Sequence, residues 1–291
     1  MNYILKNEQL TVTLSDHGAE LISVKKGDCE YIWQGDKAYW DGQAPILFPI
    51  CGRLFEQTCT YDGKTYRMGT HGFARTSDYS VKKVTDSEIV FRLEANDETR
   101  AVYPFDFALE ITYRLENATL FTTATIYNTG SEILPATFGG HPGFNVPLGG
   151  DGSFADFYLE FGEECSPDEI MMTPTCFLTG KRQAYPLVDG KRLPLSHDLF
   201  NIDAIFLSRV ADSVTLRSDK TDRAVTLRYP DMPYLGIWHA PRTDAPYVCI
   251  EPWTGVPAYD GKIDDFATKN LFTHLKKGET YENEFSITIT E

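Results

Sequence analysis

The sequence is short of positive charge, of long apolar runs and of closely paired cysteines, and each shortage excludes a class of protein. Its 291 residues carry 27 Lys and Arg against 42 Asp and Glu, which gives a formal net charge of −15. Nucleic acids are bound through a basic face, so this chain is a poor partner for them. The chain contains no stretch of about 18 apolar residues, so no helical membrane span is predicted. The first residues also lack the charged and apolar regions of a signal peptide.

Motifs that mark metal and nucleotide sites are missing as well. The cysteines at positions 29, 51, 59, 165, 176 and 249 form no C-x-x-C pair, and the histidines are equally scattered. The chain has no H-E-x-x-H, no Walker A loop, no G-x-S-x-G, and no G-x-G-x-x-G after a strand. We therefore expect reduced cysteines and a cytoplasmic location. The sequence does not decide whether distant strands assemble a metal site.

Short alternating strands take the place of these motifs. Aromatic residues make up 13% of the chain and occur with Val, Ile and Thr in runs of period two. Residues 58–68 predict a hairpin, because Asp62-Gly63 supplies the positive φ angles of a tight turn. Two further strand pairs are predicted at 107–115 with 120–127 and at 214–217 with 224–229.

Helical periodicity is nearly absent. The longest stretches without a strand pattern, 36–53 and 163–199, are rich in Pro and Gly, so we predict long loops there. Closely spaced strands without interleaved helices favour an antiparallel β-sandwich or barrel over βαβ units. A dozen or more strands require two large stacked sheets. Since no repeat or linker is visible, we expect residues 1–291 to form a single domain.

Two polar groups follow segments that predict strands. Arg53 ends the apolar run 45–54, where Gly52 permits close approach and the guanidinium offers a rigid fork of donors. His71 lies in the glycine-containing segment 69–75, directly after the predicted hairpin. Structurally, Arg53 could be a solvated side chain at a strand end and His71 a turn residue. Functionally, both could line a cleft.

The segments 138–147 and 247–255 are the most unusual. His141 follows two glycines, and Pro142 restricts it to an extended backbone. Phe144, just beyond, is an aromatic side chain that could stack on a ligand. Glu251 ends an apolar strand beside Trp253, where burial could raise its pKa into the range of a useful base. Trp253 is also compatible with a core position.

Taken together, these segments resemble the aldose 1-epimerase (galactose mutarotase) family, and in particular its bacterial LacX-like branch. The Gly-His-Pro and Glu-Pro-Trp pieces in this order are specific, and the resemblance covers nearly the whole chain. The matching segments are 16–21, 48–54, 71–75, 139–145, 199–206 and 250–253. The resemblance implies an all-β fold, a large antiparallel two-sheet β-sandwich, in agreement with the strand pattern.

Two residues carry the chemistry that the resemblance implies. Glu251 matches the general base that removes the proton of the anomeric hydroxyl, and His141 matches the general acid that protonates the ring oxygen. Opening a hemiacetal needs one proton taken and one given, so neither a metal nor a cofactor is implied. Reference pKa values of about 6.5 for histidine and about 4.3 for glutamate predict a window in which His141 is protonated while Glu251 is ionised.

The remaining candidates are implied to bind the substrate. Positions Arg53, His71 and Asp203 match groups that contact sugar hydroxyls or the ring oxygen. Phe144 and Trp253 are added as aromatic neighbours of the acid and the base. All of these side chains suit a small, polar, ring-shaped ligand.

The predicted function is interconversion of the α and β anomers of a hexose by an isomerase. Some relatives act on hexose 6-phosphates and carry extra cations around the arginine that matches Arg75. Here residues 76–79 contain no lysine, although Arg53 and Arg75 could still hold a phosphate. A hexose-6-phosphate epimerase and a non-catalytic carbohydrate-binding protein therefore remain alternatives. We expect an aldose as partner, no nucleic acid or membrane, and a monomer or homodimer.

Overall fold

Antiparallel strands dominate the computed structural model, which describes residues 1–150 and 152–291. In this part of the chain the strands are β1 (Asn2–Lys6), β2 (Thr11–Ser15), β3 (Leu21–Lys26), β4 (Cys29–Glu30), β5 (Ile46–Leu47), β6 (Thr58–Tyr61), β7 (Lys64–Arg67), β8 (Ser80–Val84), β9 (Glu88–Glu94), β10 (Phe107–Glu116), β11 (Thr119–Asn128), β12 (Leu134–Ala136), β13 (Gly139–Gly140), β14 (Gly143–Asn145), β15 (Phe157–Phe161), β16 (Asp168–Met172), β17 (Leu178–Ala184), β18 (Arg192–Pro194), β19 (Ile205–Ser208), β20 (Ser213–Ser218), β21 (Thr221–Arg228), β22 (Tyr234–Trp238), β23 (Tyr247–Trp253), β24 (Asp264–Asp265), β25 (Thr273–Leu275) and β26 (Thr280–Thr290). The helical segments are α1 (Asp97–Val102) and 3₁₀ turns at Phe55–Gln57, Ala74–Thr76, Leu148–Gly150, Phe154–Asp156 and His197–Phe200.

The hairpin of β10 and β11 shows how the sequence produces these strands. Every second residue of β11 is buried, as the alternation of apolar and polar side chains predicts. Asn117 adopts a φ of 50° in the turn, a conformation that asparagine tolerates better than most residues. The register pairs Phe107 with Asn128 and Glu116 with Thr119. The three predicted strand pairs are thereby confirmed, with ends that differ by a few residues.

Two large sheets carry the fold. Nine strands form one sheet in the order β18-β15-β20-β21-β26-β11-β10-β9-β8. Strand β26 lies inside this sheet, bonded to β21 on one side and to β11 on the other. The second sheet has the order β17-β16-β19-β22-β23-β13-β5, and β14 also pairs with β23. Smaller sheets contain β1 to β4, β24 with β6 and β7, and β12 with β25.

The large sheets pack against each other through apolar side chains. The rings of Phe138 and Phe285 lie 6.5 Å apart across the interface. A Cβ on Gly140 would lie 2.7 Å from the Phe285 ring, so glycine lets the backbone of the second sheet approach the first. Buried side chains from both sheets form one continuous core. The predicted two-sheet β-sandwich is confirmed, and the continuous core supports our proposal that residues 1–291 form one domain.

The predicted long loops are partly wrong. Segment 36–53 contains β5, and segment 163–199 contains β16, β17 and β18. After Leu178, every residue of β17 is exposed, so this strand carries no apolar alternation that could reveal it. Its order comes from backbone pairing with β16.

Helices have a minor part in this fold. Helix α1 has six residues, and its N-terminus is capped by reciprocal hydrogen bonds between Asn96 and Thr99. Within the described residues, no helix has the length and apolar character that a membrane crossing requires. The six cysteines are free thiols, as the sequence predicts.

Candidate active site

A cavity of about 420 Å³ lies against β22 and β23 of the second large sheet. Its volume falls within the range of roughly 300–1,000 Å³ that is typical of small-molecule sites. Except for Phe144, the predicted site residues all line it. Its walls contain Trp40, Pro45, Gly52, Arg53, Thr70, His71, Arg75, His141, Met172, Cys176, Asp203, Ala204, Trp238, Pro241, Glu251, Trp253 and Pro257.

Glu251 and His141 form a close pair in this cavity. Glu251 belongs to β23, opposite Gly236 in β22, whose missing side chain leaves room for the carboxyl group. His141 lies in the short link between β13 and β14, where its backbone N–H donates to the carbonyl oxygen of Pro45 at 3.1 Å. Nε2 of His141 is 3.2 Å from Oε2 of Glu251. The predicted acid and base are thus within direct reach of one proton.

Burial sets the protonation of this pair. Glu251 is 3% exposed and His141 is 8% exposed. Desolvation raises the pKa of Glu251 well above its ordinary value and lowers the pKa of His141 to about 3. Both shifts favour the neutral pair, in which the carboxyl group holds the proton, over the ion pair that the reference values predict. Moving that proton to Nε2 produces the ion pair without any change in total charge.

His71 is a neutral donor beside the pair. The backbone N–H of Gly52 donates to Nδ1 of His71 at 3.1 Å, which leaves the ring proton on Nε2. Burial lowers the pKa of His71 well below its ordinary value. Its ring lies 5.5 Å from that of His141. Gly52 has a φ of 80°, and a Cβ there would lie 2.5 Å from Pro257. The position that holds His71 therefore requires glycine.

Two arginines supply fixed positive charge. Nη1 of Arg53 donates to the carbonyl oxygen of Thr175 at 3.1 Å. Arg75 lies in the 3₁₀ turn Ala74–Thr76 and lines the cavity. Its Nε is buried and has no hydrogen-bond partner among the described residues. In that same part of the chain, neither guanidinium lies within ion-pair distance of a carboxylate. Both are therefore available to oxygen atoms of a ligand.

Asp203 is held from two sides. Its Oδ1 accepts from the backbone N–H of Ala204 at 2.9 Å, and its Oδ2 accepts from the Cys176 thiol at 2.8 Å. Burial raises the pKa of Cys176 to about 12, which keeps the thiol protonated as a donor. The carboxylate retains further lone pairs for hydroxyl groups of a ligand. Sequence reasoning missed Cys176, because nothing near it in the chain indicates a contact with Asp203.

Aromatic rings form the walls around the pair. The ring of Trp40 lies 5.0 Å from that of His141, and the ring of Trp238 lies 5.7 Å away. Trp253 contacts His71 at 5.4 Å between ring centroids. Trp40 and Trp238 were not among the predicted residues. The only signal for Trp238 in the sequence is its place at the end of the largely apolar segment 234–238.

Phe144 is wrong as a substrate-binding residue. Side chains alternate along β14, and a Cβ on Gly143 would lie 3.0 Å from the Trp40 ring. Phe144 consequently faces the opposite side, where it is fully buried in the core. It supports the loop of His141 through packing only.

One group of described residues has the composition of a metal site. Ligand atoms of His141, Cys249 and Glu251 lie within 4.8 Å of one another. A cation held there would occupy the lone pairs of Nε2 and Oε2 that exchange the proton. The arrangement is therefore better suited to acid–base chemistry than to a resident ion.

Comparisons with known proteins identify the family of this chain. A family model described as aldose 1-epimerase matches residues 1–288. The chain is 33% identical over 298 residues to the plasmid-encoded protein LacX of Lactococcus lactis subsp. lactis, with 99% of each chain covered. A galactose mutarotase related enzyme from Lactobacillus acidophilus superposes with a TM-score of 0.94 at 38% identity, covering 100% of this chain and 98% of that one. A galactose mutarotase-like protein from Lactobacillus casei gives 0.92 at 33% identity, covering 99% and 100%. The resemblance predicted from the sequence is confirmed: the chain belongs to the aldose 1-epimerase family of carbohydrate isomerases.

Proposed function

We propose that this isomerase interconverts the α and β anomers of an unphosphorylated hexose, with Glu251 as general base and His141 as general acid. The observation that carries the proposal is the 3.2 Å separation of Nε2 and Oε2 in a cavity of sugar size. A non-catalytic binding protein needs stacking rings and hydroxyl acceptors, but it has no need of a buried pair that shares a proton. Polarimetry of freshly dissolved α-anomers with purified protein tests the proposal directly.

The proton balance of the reaction fits the buried pair. Ring opening starts from the ion pair: the Glu251 carboxylate takes the proton of O1, a C1=O1 double bond forms, the C1–O5 bond breaks, and His141 gives its proton to O5. The pair then holds one proton as a carboxylic acid beside a neutral imidazole. Rotation about C1–C2 turns the other face of the carbonyl to O5, and the same transfers in reverse close the ring.

Burial favours the ring-opening half of this cycle. The neutral pair that follows ring opening is the form that desolvation already favours in the empty site. Opening the ring therefore removes two buried charges, which a low-dielectric cavity makes favourable. Sugar oxygens beside Nε2 and Oε2 stabilise the ion pair at the start of the cycle. The substrate itself thus prepares the reactive protonation state.

Binding of the sugar is assigned to the groups around the pair. The two arginines and the Nε2–H of His71 donate to hydroxyl or ring oxygens, and the Asp203 carboxylate accepts from hydroxyls. Two guanidinium groups and the Asp203 carboxylate face the cavity, while the Glu251–His141 pair is neutral overall, so Asp203 offsets one of the two positive charges. Asp203 would repel a phosphate group. The position of this carboxylate among the arginines favours a neutral hexose as substrate.

Our first prediction concerns that choice. We expect kcat/KM for glucose and galactose to exceed that for glucose 6-phosphate, because the Asp203 carboxylate would repel the phosphate group. Polarimetric rates for the three sugars decide this. Arg75→Ala should lower the rate on every sugar, whereas the control Arg67→Ala, at an exposed position of β7, should lower none. A preference above tenfold for the phosphorylated sugar that Arg75→Ala abolishes would establish a phosphate site instead.

A second prediction concerns Asp203. Asp203→Asn keeps the shape of the side chain but replaces one acceptor oxygen with an amide group, so we expect KM to rise by about tenfold, the effect of losing a hydrogen bond to a charged group. The turnover number kcat should change much less, because hydroxyl binding is equal in the ground and transition states. Initial rates over a range of sugar concentrations separate the two constants. Asp189→Asn, at an exposed position outside the cavity, is the control. A loss confined to kcat would place Asp203 at the reacting atoms.

A further inference from the structure

The ring nitrogen of His141 that points away from Glu251 lacks a partner. Nδ1 is buried, and among the described residues no atom hydrogen-bonds to it. The hydroxyl Oγ1 of Thr122 is buried and unpartnered in the same way. Both residues line one small internal cavity, together with Tyr113, Pro142 and Phe285. Two residues with unsatisfied buried polar atoms line the same cavity, which is unusual, since buried polar groups are almost always hydrogen-bonded.

The sheet packing explains why these atoms meet. Thr122 lies in β11, directly opposite Phe285 of β26. Gly140, the residue before His141, packs on that same phenylalanine ring. The backbone of His141 therefore passes close to the Thr122–Phe285 pair. The cavity offers about 10 Å³ to the centre of a water molecule, close to the amount that a single water needs.

The proposed mechanism requires an acceptor at this position. When the Glu251 carboxyl group donates to Nε2, the neutral imidazole carries its own proton on Nδ1. When His141 is an imidazolium, Nδ1 carries a proton as well. Every form of the pair that holds one proton therefore presents a buried Nδ1–H to the cavity. Without an acceptor this donor is costly, above all in the charged form.

We infer that Thr122 Oγ1 accepts the Nδ1–H of His141 through one water bound in this cavity, and that Thr122 is a positioning residue for the general acid. The inference rests on the role proposed for His141. Thr122 does not touch the sugar; it fixes the tautomer and orientation of the imidazole and stabilises the imidazolium.

Several other groups face His141 and contribute to its titration. Glu251 lies beside Nε2, and Cys249 lies in the same strand. His71 contacts the ring, and the charge of Arg75 acts against the imidazolium. Tyr113, across the small cavity, donates its hydroxyl proton to the carbonyl oxygen of Ala19. None of these groups changes when the Thr122 hydroxyl is replaced by a methyl group.

The test compares Thr122→Val, which keeps the shape, with Thr122→Ser, which keeps the hydroxyl. We expect Thr122→Val to lower kcat roughly five- to tenfold and to move the basic limb of the pH profile of kcat down by about 0.5–1 unit. In the sugar complex that limb is the loss of the imidazolium proton, and an imidazolium loses more than a neutral ring when its acceptor is removed. Thr122→Ser should retain the wild-type rate and profile. Tyr229→Phe removes another buried, unpartnered hydroxyl outside both cavities and should change neither.

Nitrogen-15 NMR of the histidine ring gives a readout that does not depend on activity. We expect the Nδ1 resonance of His141 to move in Thr122→Val and to stay in place in Thr122→Ser and Tyr229→Phe. An unchanged Nδ1 resonance, or an unchanged kcat and pH profile in a folded Thr122→Val protein, would overturn the inference. If His141→Asn keeps its activity, the catalytic role of His141 fails instead, and the resonance still decides whether Thr122 is its hydrogen-bond partner.

Discussion

Glu251→Gln will lower kcat/KM by at least about 10²-fold, the usual contribution of a general base. Glutamine keeps the size and a hydrogen-bonding oxygen, but it cannot take the proton of O1. The rate is measured by polarimetry on a fresh α-hexose after subtraction of the spontaneous reaction. Glu282→Gln, at an exposed position of β26, should retain full activity. If Glu251→Gln keeps most of the wild-type rate, the base lies elsewhere.

Thermal unfolding distinguishes a chemical cause of this loss from a loss of folded protein. Because burial raises the pKa of Glu251, the stability linked to its protonation is present below the pKa of the unfolded chain, about 4.3, and is lost as the pH rises through the folded value. Glutamine has no such dependence. At pH 8 the Glu251→Gln variant should therefore have a Tm at or above that of the wild type. A lower Tm at pH 8 would attribute the loss of activity to unfolding.

The pH profile of kcat/KM will be bell-shaped, with a plateau wider than the interval between the reference pKa values. The acid limb should lie near pH 3, where the pair takes up a second proton, because burial lowers the pKa of His141 to about 3. The basic limb should lie well above the ordinary pKa of a glutamate, where the pair loses its last proton. Both limbs report the free enzyme and belong to the coupled pair.

His141→Asn is the matching variant for this profile. It should remove most of the activity together with the basic limb. Glu251 is then the only group of the pair that titrates, and the rate can only rise as this base loses its proton. Rates between pH 3 and 10, measured over the range in which circular dichroism shows a folded protein, test this. His197→Asn is a useful control, since His197 lies outside the cavity and contacts His239 at 3.1 Å. A variant at His141 with the wild-type profile would contradict its role as the acid.

Local patterns predicted the fold wherever one face of a strand is buried. β10 and β11 alternate buried and solvent-facing positions, and the turn between them contains a residue that tolerates positive φ. β17 escaped prediction because its side chains after Leu178 are exposed, and β16 because most of its side chains are half-buried with no alternation between faces. Alternation can reveal a strand only when burial selects for it.

The site was predictable in part for a similar reason. His141 and Glu251 stand in short, unusual contexts of glycine, proline and tryptophan, which the sequence displays directly. Phe144 was misplaced because a shift of one residue along a strand exchanges the two faces, and the sequence does not fix that phase. Trp40 and Cys176 reach the cavity only through tertiary folding. The protonation order of the pair depends on desolvation, which no local pattern records.

The central position of β26 has a consequence for synthesis on the ribosome. Strands β8 to β11 and strands β15, β18, β20 and β21 belong to two halves of the nine-stranded sheet that meet only through β26. Until residues 280–290 emerge, β11 and β21 present unpaired backbone edges, which are prone to non-native pairing. The partner of Thr122 in the sheet, Phe285, belongs to this late strand. The wall behind His141 is therefore completed only after β26 has been synthesised, and until then the edges of β11 and β21 must avoid non-native pairing.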